Sequence, residues 1–362
     1  MIEITKQIGD CAKAGNVTGA ERVFNSMQAE GLEPDVRAYC ALMRAYAKRG
    51  DGPGAGQVLG RMMDAGLKPD VVSYNILIGA YARNGNAQGA ENALKAIEVA
   101  GLEPNALSYS TVIDAYAESG DAEDAESVWQ RMRDAGVKPN GVSYTALMTA
   151  YAKCGDAWRA EDALETMAHA GLAPGVFFYN LLMRAYAKYG DAPGAEKVLD
   201  RMMDAGLEPN IFSYNALLDA YAKGGNAEGA EDTLKRIERV DLRADVFTYT
   251  ALVDAYAVKG DAAGAWRAFQ RMKDAGVAPD VVTYNTLMKA HIKAGGAKGD
   301  ADIVRKGIDD VLALMSEDEK LVEGPDEDTL GLMLGYYSKT GREEQARQVL
   351  ALREARLLQQ NV

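Results

Sequence analysis

Nine short side chains with hydrogen-bonding heads stand one period apart in this sequence: Thr5, Cys40, Asn75, Ser110, Thr145, Asn180, Asn215, Thr250 and Asn285. The interval is 35 residues throughout. A second polar residue follows most of them at a fixed distance, giving the pairs Thr5/Asp35, Cys40/Asp70, Asn75/Asn105, Ser110/Asn140, Thr145/Gly175, Asn180/Asn210, Asn215/Asp245, Thr250/Asp280 and Asn285/Asp326. A carboxylate only accepts hydrogen bonds, whereas an amide both donates and accepts. Such pairs select a ligand by its pattern of donors and acceptors. They do not break bonds. Nothing else in the chain points to catalysis. His169 and His291 are the only histidines, and Cys11, Cys40 and Cys154 are too scattered for a disulfide framework or a zinc site. The three thiols fit a reducing compartment. No P-loop or nucleophile motif is present. The H-x-E and C-x-x-C elements of a zinc deaminase are also missing. A binding protein with no cofactor is expected, not an enzyme.

The same period organises the whole chain. Repeats run over 1–35, 36–70, 71–105, 106–140, 141–175, 176–210, 211–245 and 246–280, with a stretched ninth over 281–326 and a closing, capping one over 327–362. Eight of the ten prolines, Pro34, Pro69, Pro104, Pro139, Pro174, Pro209, Pro279 and Pro325, sit one residue before a repeat's end. Within a repeat the pattern is two helices. Tyr214, Leu217, Leu218 and Tyr221 follow the i, i+3, i+4, i+7 spacing of one helical face. Gly224 and Gly225 can end that helix without strain, and Asn226 can cap the next. The second helix runs through Ala230, Leu234 and Ile237. A Gly-x-x-Pro turn then stops it.

Two tyrosine stripes recur, one through Tyr39, Tyr109 and Tyr214, the other through Tyr46, Tyr116 and Tyr221. Both are read as core, as are Met62, Met132, Met167, Met202 and Met272. Ala20, Ala55, Ala90, Ala125, Ala160, Ala195, Ala230 and Ala265 are small enough to bring two helices close. His291 occupies the phase of the second stripe and reads as a core substitution. No strand pattern is present. One helical hairpin cannot bury both faces, so the repeats must stack.

Charge gives a mixed message. The total is −13, which taken alone argues against a nucleic acid partner. The first fourteen residues of each repeat nevertheless sum to about +7, so the negative charge sits mainly on second helices and linkers. Lys13, Lys48, Arg83, Lys153, Lys188, Lys223, Lys293 and Lys339 share one phase at the end of the first helix. A cation there favours the helix dipole, or marks a phosphate track. Glu118 and Val258 interrupt the row, and Asp114, Asp219 and Asp254 oppose it. The ninth repeat is lengthened by about eleven residues, with a helix expected over 301–315 and an acidic loop behind it. The 296–326 insertion is either solvated or a docking site.

The VxYNxLIxxYxKxG opening and GxxPD close of a 35-residue, two-helix repeat resemble the pentatricopeptide repeat, in its pure (P-class) form because every intact repeat is one period long. The resemblance implies an all-α, right-handed α-solenoid of about ten two-helix repeats. It also implies binding of single-stranded RNA, one base per repeat, in organellar RNA processing, stability or translation. The fifth and last residues of each repeat are implied to choose the base. Acceptor-only carboxylates suit G and U, amides suit A and C, and the family's code adds that Thr or Ser in front favours purines and Asn pyrimidines. The implied target is G-x-C/U-A-x-C/U-U-G-U. Its two x positions belong to Cys40/Asp70 and Thr145/Gly175, which depart from the code. Asp or Asn before a helix is also an N-cap.

A third implied position is the second residue of each repeat, Ile2, Val72, Leu107, Val142, Phe177, Phe212, Phe247 and Val282, where bases are wedged between neighbouring side chains. The competing reading is a helix-start staple into the core. Arg37 breaks this series. The family places the protein in a plastid or mitochondrion, yet MIEITKQIGDCAKAG has neither an apolar signal core nor an Arg/Ser-rich transit segment. No apolar run is long enough to span a membrane. The alternative function is a scaffold subunit of an organellar assembly such as a ribosome, polymerase or photosynthetic complex, with the solenoid holding protein subunits.

Overall fold

The computed structural model describes residues 2–298, 301–317, 326–339 and 341–360. Pro325, the acidic segment 318–325 and the side chains of Ile2 and Lys339 lie outside the described residues. All regular structure among the described residues is helical. First helices of the hairpins are α1 (Ile2–Lys13), α3 (Val36–Lys48), α5 (Val71–Arg83), α7 (Ala106–Ser119), α9 (Gly141–Cys154), α11 (Val176–Lys188), α13 (Ile211–Lys223), α15 (Val246–Lys259), α17 (Val281–Lys298) and α19 (Glu327–Lys339). Second helices are α2 (Val17–Ala29), α4 (Gly52–Asp64), α6 (Ala87–Val99), α8 (Ala122–Asp134), α10 (Ala157–His169), α12 (Ala192–Asp204), α14 (Ala227–Arg239), α16 (Ala262–Asp274), α18 (Ala301–Glu317) and α20 (Glu343–Gln360).

They form two compact bodies, Met1–Pro174 and Gly175–Val362. Within each body the first helices pack side by side, as α5 on α7 and α13 on α15, and second helices wedge between their own first helix and the next, as α6 between α5 and α7 and α14 between α13 and α15. This is the two-layer helical repeat solenoid that the period demands.

The layers close on the residues that recur. Ala20, Ala55, Ala90, Ala125, Ala160, Ala195, Ala230 and Ala265 have no exposed surface, and Met62, Met132, Met202 and Met272 are equally buried. The rings of Tyr39, Tyr109, Tyr144 and Tyr284 lie between the layers. The second tyrosine stripe differs from the purely apolar role expected of it. Its phenols reach the preceding repeat: Tyr46 donates to Glu21 at 2.9 Å and Tyr256 to Glu231 at 3.0 Å. An arginine of the later repeat meets the same carboxylate, Arg61 on Glu21 at 2.8 Å, Arg131 on Glu91 at 2.9 Å and Arg271 on Glu231 at 2.6 Å. Each such Tyr–Glu–Arg set ties one repeat to the next. The tyrosine ring also lies flat on the second helix of its own repeat. A Cβ added at Gly54, Gly194, Gly229 or Gly264 would overlap the ring of Tyr46, Tyr186, Tyr221 or Tyr256.

The ninth repeat departs from the expected pattern at its middle. Gly295 stands where glycine ends the other first helices, with φ of +80° at Gly120 and +78° at Gly260. Yet α17 continues through it to Lys298. The following residue differs from that of the eight preceding repeats. There Asp or Asn follows the glycine and caps the second helix, as Asn86 does for Gly89 N–H and Asp191 for Gly194 N–H. Gly296 has no side chain to cap one; the first helix runs on, and α18 begins at Ala301, where the longer helix was expected. His291 replaces the tyrosine of this repeat and its ring meets Trp266 at 6.5 Å between centroids. Its Nε2 is buried without a partner among the described residues, and burial holds the imidazole below its usual pKa.

Two tests arise from this packing. Gly229→Ala should destabilise the protein by about 1–3 kcal/mol through overpacking against Tyr221. Gly60→Ala, inside α4 with nothing within 4 Å of the new Cβ, should stabilise it by about 0.5–1 kcal/mol. Thermal denaturation of both variants checks the pair. The second test is alkaline. Burial, reinforced by hydrogen bonds to Glu21 and Glu196, pushes the Tyr46 and Tyr221 phenols up from 10 to about 12. Above pH 10 the unfolded chain releases these protons while the native one keeps them. Stability should therefore be intact below that pH and fall between about 10 and 12, as read by denaturant midpoints across that range.

Candidate nucleic-acid interface

From α3 onward every first helix starts one residue after a repeat ends, so the last residue of one repeat stands at the N-cap position of the next. The amides of a first helical turn have no partner inside the helix, and this residue supplies one. Asp35 accepts from Ala38 N–H at 2.9 Å, Asp70 from Ser73 N–H at 2.8 Å and Asp245 from Thr248 N–H at 2.9 Å. Asp280 and Asp326 accept from Thr283 and Thr329 in the same way. Asn105, Asn140 and Asn210 each take two backbone N–H bonds through Oδ1. Gly175 caps α11 with no side chain.

Capping commits one atom of the residue and leaves the other. In an asparagine N-cap the oxygen is used and the Nδ2 donor remains. In an aspartate N-cap Oδ1 is used and Oδ2 remains as an acceptor. The capping and ligand-selecting readings of these residues are thus one arrangement, because the helix start determines which atom is left over.

The fifth residues lie beside these caps. Asn75 Nδ2 donates to Asn105 at 3.4 Å, Asn180 to Asn210 at 3.3 Å, Asn215 to Asp245 at 3.2 Å and Asn285 to Asp326 at 3.2 Å. The structure therefore brings together four of the sequence-paired sets through the amide of the fifth residue. Where that residue is a hydroxyl or thiol it turns inward instead: Ser110 and Ser143 are 2.7 Å apart, Thr250 and Thr283 2.7 Å, Cys40 and Ser73 3.3 Å. Thr145 donates to the Gly141 carbonyl of its own helix at 2.9 Å.

These contacts expose a row that sequence reasoning missed. The third residue of most repeats is a hydroxyl: Ser73, Ser108, Ser143, Ser213, Thr248, Thr283 and Thr329, each fully buried. The signal was present as a recurring Ser or Thr at one phase, and looked like an ordinary helix-start residue. Its effect is visible in the Asp70 carboxyl. Burial pushes that group up, but the hydrogen bonds from the Ser73 hydroxyl and backbone outweigh this and hold it below the usual range.

The second residues do not take the core position that a helix-start staple would give them. Val72, Leu107, Val142, Phe177, Phe212, Phe247 and Val282 are between 49% and 68% exposed. They do not staple into the core. They form a series of large apolar side chains in water, one per repeat, beside the polar pairs. In the C-terminal body Phe177, Phe212 and Phe247 line a groove of about 870 Å³ together with Asn180, Asn210, Asn215 and Asp245. Arg184, Asp219 and Lys223 line the same groove. In the N-terminal body a shallower groove of about 460 Å³ is lined by Lys13, Arg44, Lys48 and Arg83.

The row of cations is uneven. Lys48, Arg83 and Lys188 are exposed. Lys13 pairs with Asp10 at 3.0 Å, Lys153 with Glu118 at 2.8 Å and Lys223 with Asp219 at 2.6 Å. Lys293 donates to the Val258 carbonyl, filling the place where the row lacks a cation. Burial raises the carboxyls of Asp114 and Asp254, the first further raised by Glu118 and the second by Asp219. Among the described residues no His, Cys, Asp or Glu cluster is placed to hold a metal ion, and no helix is long and apolar enough to cross a membrane.

The sequence matches the family profile described as the pentacotripeptide-repeat region of PRORP over residues 3–170. It matches the PPR repeat family over 174–223 and 244–293, and the PPR repeat over 212–242. No curated protein matches the chain. Among solved structures it is similar to the pentatricopeptide repeat protein PPR10 in complex with an 18-nucleotide psaJ RNA element, at 22% identity over 98% of this chain, with a TM-score of 0.49. It is also similar to the PPR domain of Arabidopsis thaliana protein-only RNase P 1 in complex with tRNA, at 18% identity over 49% of this chain and 94% of that one, TM-score 0.42. Yeast Rmd9p in complex with a 16-nucleotide target RNA matches at 9% identity over 97% of this chain and 87% of that one, TM-score 0.42. The chain spans 60% of the PPR10 chain.

The exposure of the second residues gives a stability test. Phe212→Ala should change unfolding free energy by no more than about 0.5 kcal/mol. Tyr249→Ala, which removes a ring buried between the layers, should cost about 3–5 kcal/mol. Paired chemical denaturation curves distinguish them.

Proposed function

Because this chain belongs to the pentatricopeptide repeat family, we propose that it binds single-stranded RNA with sequence selectivity, one base per repeat. The observation that carries this reading is the left-over atom of each N-cap. It is an acceptor at Asp35, Asp70 and Asp280 and a donor at Asn105, Asn140 and Asn210. An acceptor suits the N–H of a G or U edge and a donor suits the ring nitrogen of A or C. The exposed apolar residues beside these pairs offer faces on which bases of any type can stack. Core packing asks for neither feature.

The fifth and last residues of each repeat are assigned to base reading, Val72, Leu107, Val142, Phe177, Phe212, Phe247 and Val282 to base wedging, and the exposed cations to phosphate. Since several of those cations are matched by nearby carboxylates, phosphate contacts supply a modest share of the affinity, which still falls with salt. The uniform period supports the pure subclass. The role is occupancy of a site on an organellar transcript during processing, stabilisation or translation, in a plastid or mitochondrion, without chemistry by this chain.

Selection from a randomised RNA pool at low and near-physiological salt tests the reading. Enrichment of G-x-Y-A-x-Y-U-G-U is expected (Y, C or U). In the double variant Asn215→Thr with Asp245→Asn, the preference at the seventh position should move from U to A while its neighbours hold. No enrichment at either salt would overturn the proposal and point to a protein in the groove.

A further inference from the structure

The buried third-position hydroxyls do more than start helices. Ser213 Oγ accepts the backbone N–H of Asn210 at 3.1 Å, so its single hydrogen is free to donate. The nearest acceptor is Asn180 Oδ1 at 2.7 Å, with Asn210 Oδ1 further off at 3.3 Å. Donation to Asn180 fixes which end of that amide points inward. The oxygen faces Ser213, and the nitrogen faces Asn210 and the groove. Ser108 holds Asn75 in the same way in the N-terminal body, at 2.7 Å, while accepting Asn105 N–H at 3.1 Å. Thr248 and Thr329 reach Asn215 and Asn285 at 2.8 and 2.6 Å.

The sequence obeys the same logic. Every asparagine at the fifth position is succeeded by a Ser or Thr at the third position of the next repeat. The hydroxyl is lost at Ala38 and Phe178, and in both cases the preceding fifth residue is a threonine, Thr5 or Thr145. A hydroxyl rotates to suit its partner and needs no orienting, whereas an amide has two unlike ends.

We infer that the third-position hydroxyl is a positioning residue for base selection, locking the fifth-residue amide so that it shows only N–H to the base. The inference rests on the RNA-binding reading above. With Asn180 locked and Asn210 Oδ1 consumed by the N–H groups of Phe212 and Ser213, the sixth repeat presents donors alone. A base edge whose ring nitrogen carries hydrogen, as N3 of U does, is then disfavoured against the bare N3 of C, because it would leave donors facing donors; this narrows the sixth position of the target from C or U to C. Without the lock Asn180 can turn its oxygen outward and accept that edge.

The test is Ser213→Ala in the full chain, with base preference measured register by register on RNAs varied at one position. Preference at the nucleotide of the sixth repeat should fall by about three- to tenfold, with the seventh and eighth registers unchanged. Ser213→Thr should restore it, since Thr248 places the same hydroxyl in the same way. Weaker binding with the sixth-register preference intact, equal relaxation at every register, or no rescue by Ser213→Thr would overturn the inference and leave Ser213 a helix-start residue. Loss of selectivity in the wild-type chain itself would instead remove the RNA reading.

Discussion

The start of each first helix is the constraint on which the rest depends. Its free amides must be capped, and the chain has placed that cap on the last residue of the previous repeat. One residue therefore joins two repeats, opens a helix and sits beside the fifth residue of the repeat it closes. Capping consumes one polar atom and hands the other to the groove. A side chain chosen as Asp or Asn satisfies the helix equally well, which frees the choice between them to carry information. The buried Ser or Thr three residues on completes the junction, closing a capping box and holding the neighbouring amide.

A second junction works on the other layer. There the Tyr–Glu–Arg sets link successive repeats through the second helices, and glycine beneath the tyrosine ring lets the two helices approach. This removes many acidic side chains from free solution. Glu91, for example, accepts from Lys95, Tyr116 and Arg131; burial pushes its carboxyl up, but these partners outweigh burial and hold it below the usual range. The net charge of −13 is therefore a poor guide to the face formed by the first helices. That face varies along the chain, from the Lys13, Arg44, Lys48 and Arg83 cluster to the phenylalanine-lined groove where Asp219 offsets Lys223.

Much of this was legible in the primary structure because a repeat amplifies weak signals. The helical hairpin, the buried alanines and methionines, the capping of second helices and the phase of the pairs all derive from position within a 35-residue period. The misreadings share a cause. Tyr46 and Tyr256 looked apolar because their partners Glu21 and Glu231 lie a repeat away, and periodicity reports a residue's own phase but not what faces it. Gly295 shares the phase of the glycines that end other first helices, yet α17 runs through it, because a glycine permits a stop without requiring one.

The sequence by itself determined the period, the two-helix repeat and the positions free to vary, since each of these is set by local propensity and hydrophobic spacing. Only the tertiary structure decided that Val72, Phe177 and their counterparts stand in solvent and not in the core, that Lys153 and Lys223 are already matched by carboxylates, and that a third-position hydroxyl fixes the direction of the fifth-residue amide. The reason is geometric. Apart from the Lys223–Asp219 pair, which lies within one helix, these outcomes depend on residues about a repeat apart, such as Lys153 and Glu118 or Ser213 and Asn180, and stacking one hairpin on the next is what sets them.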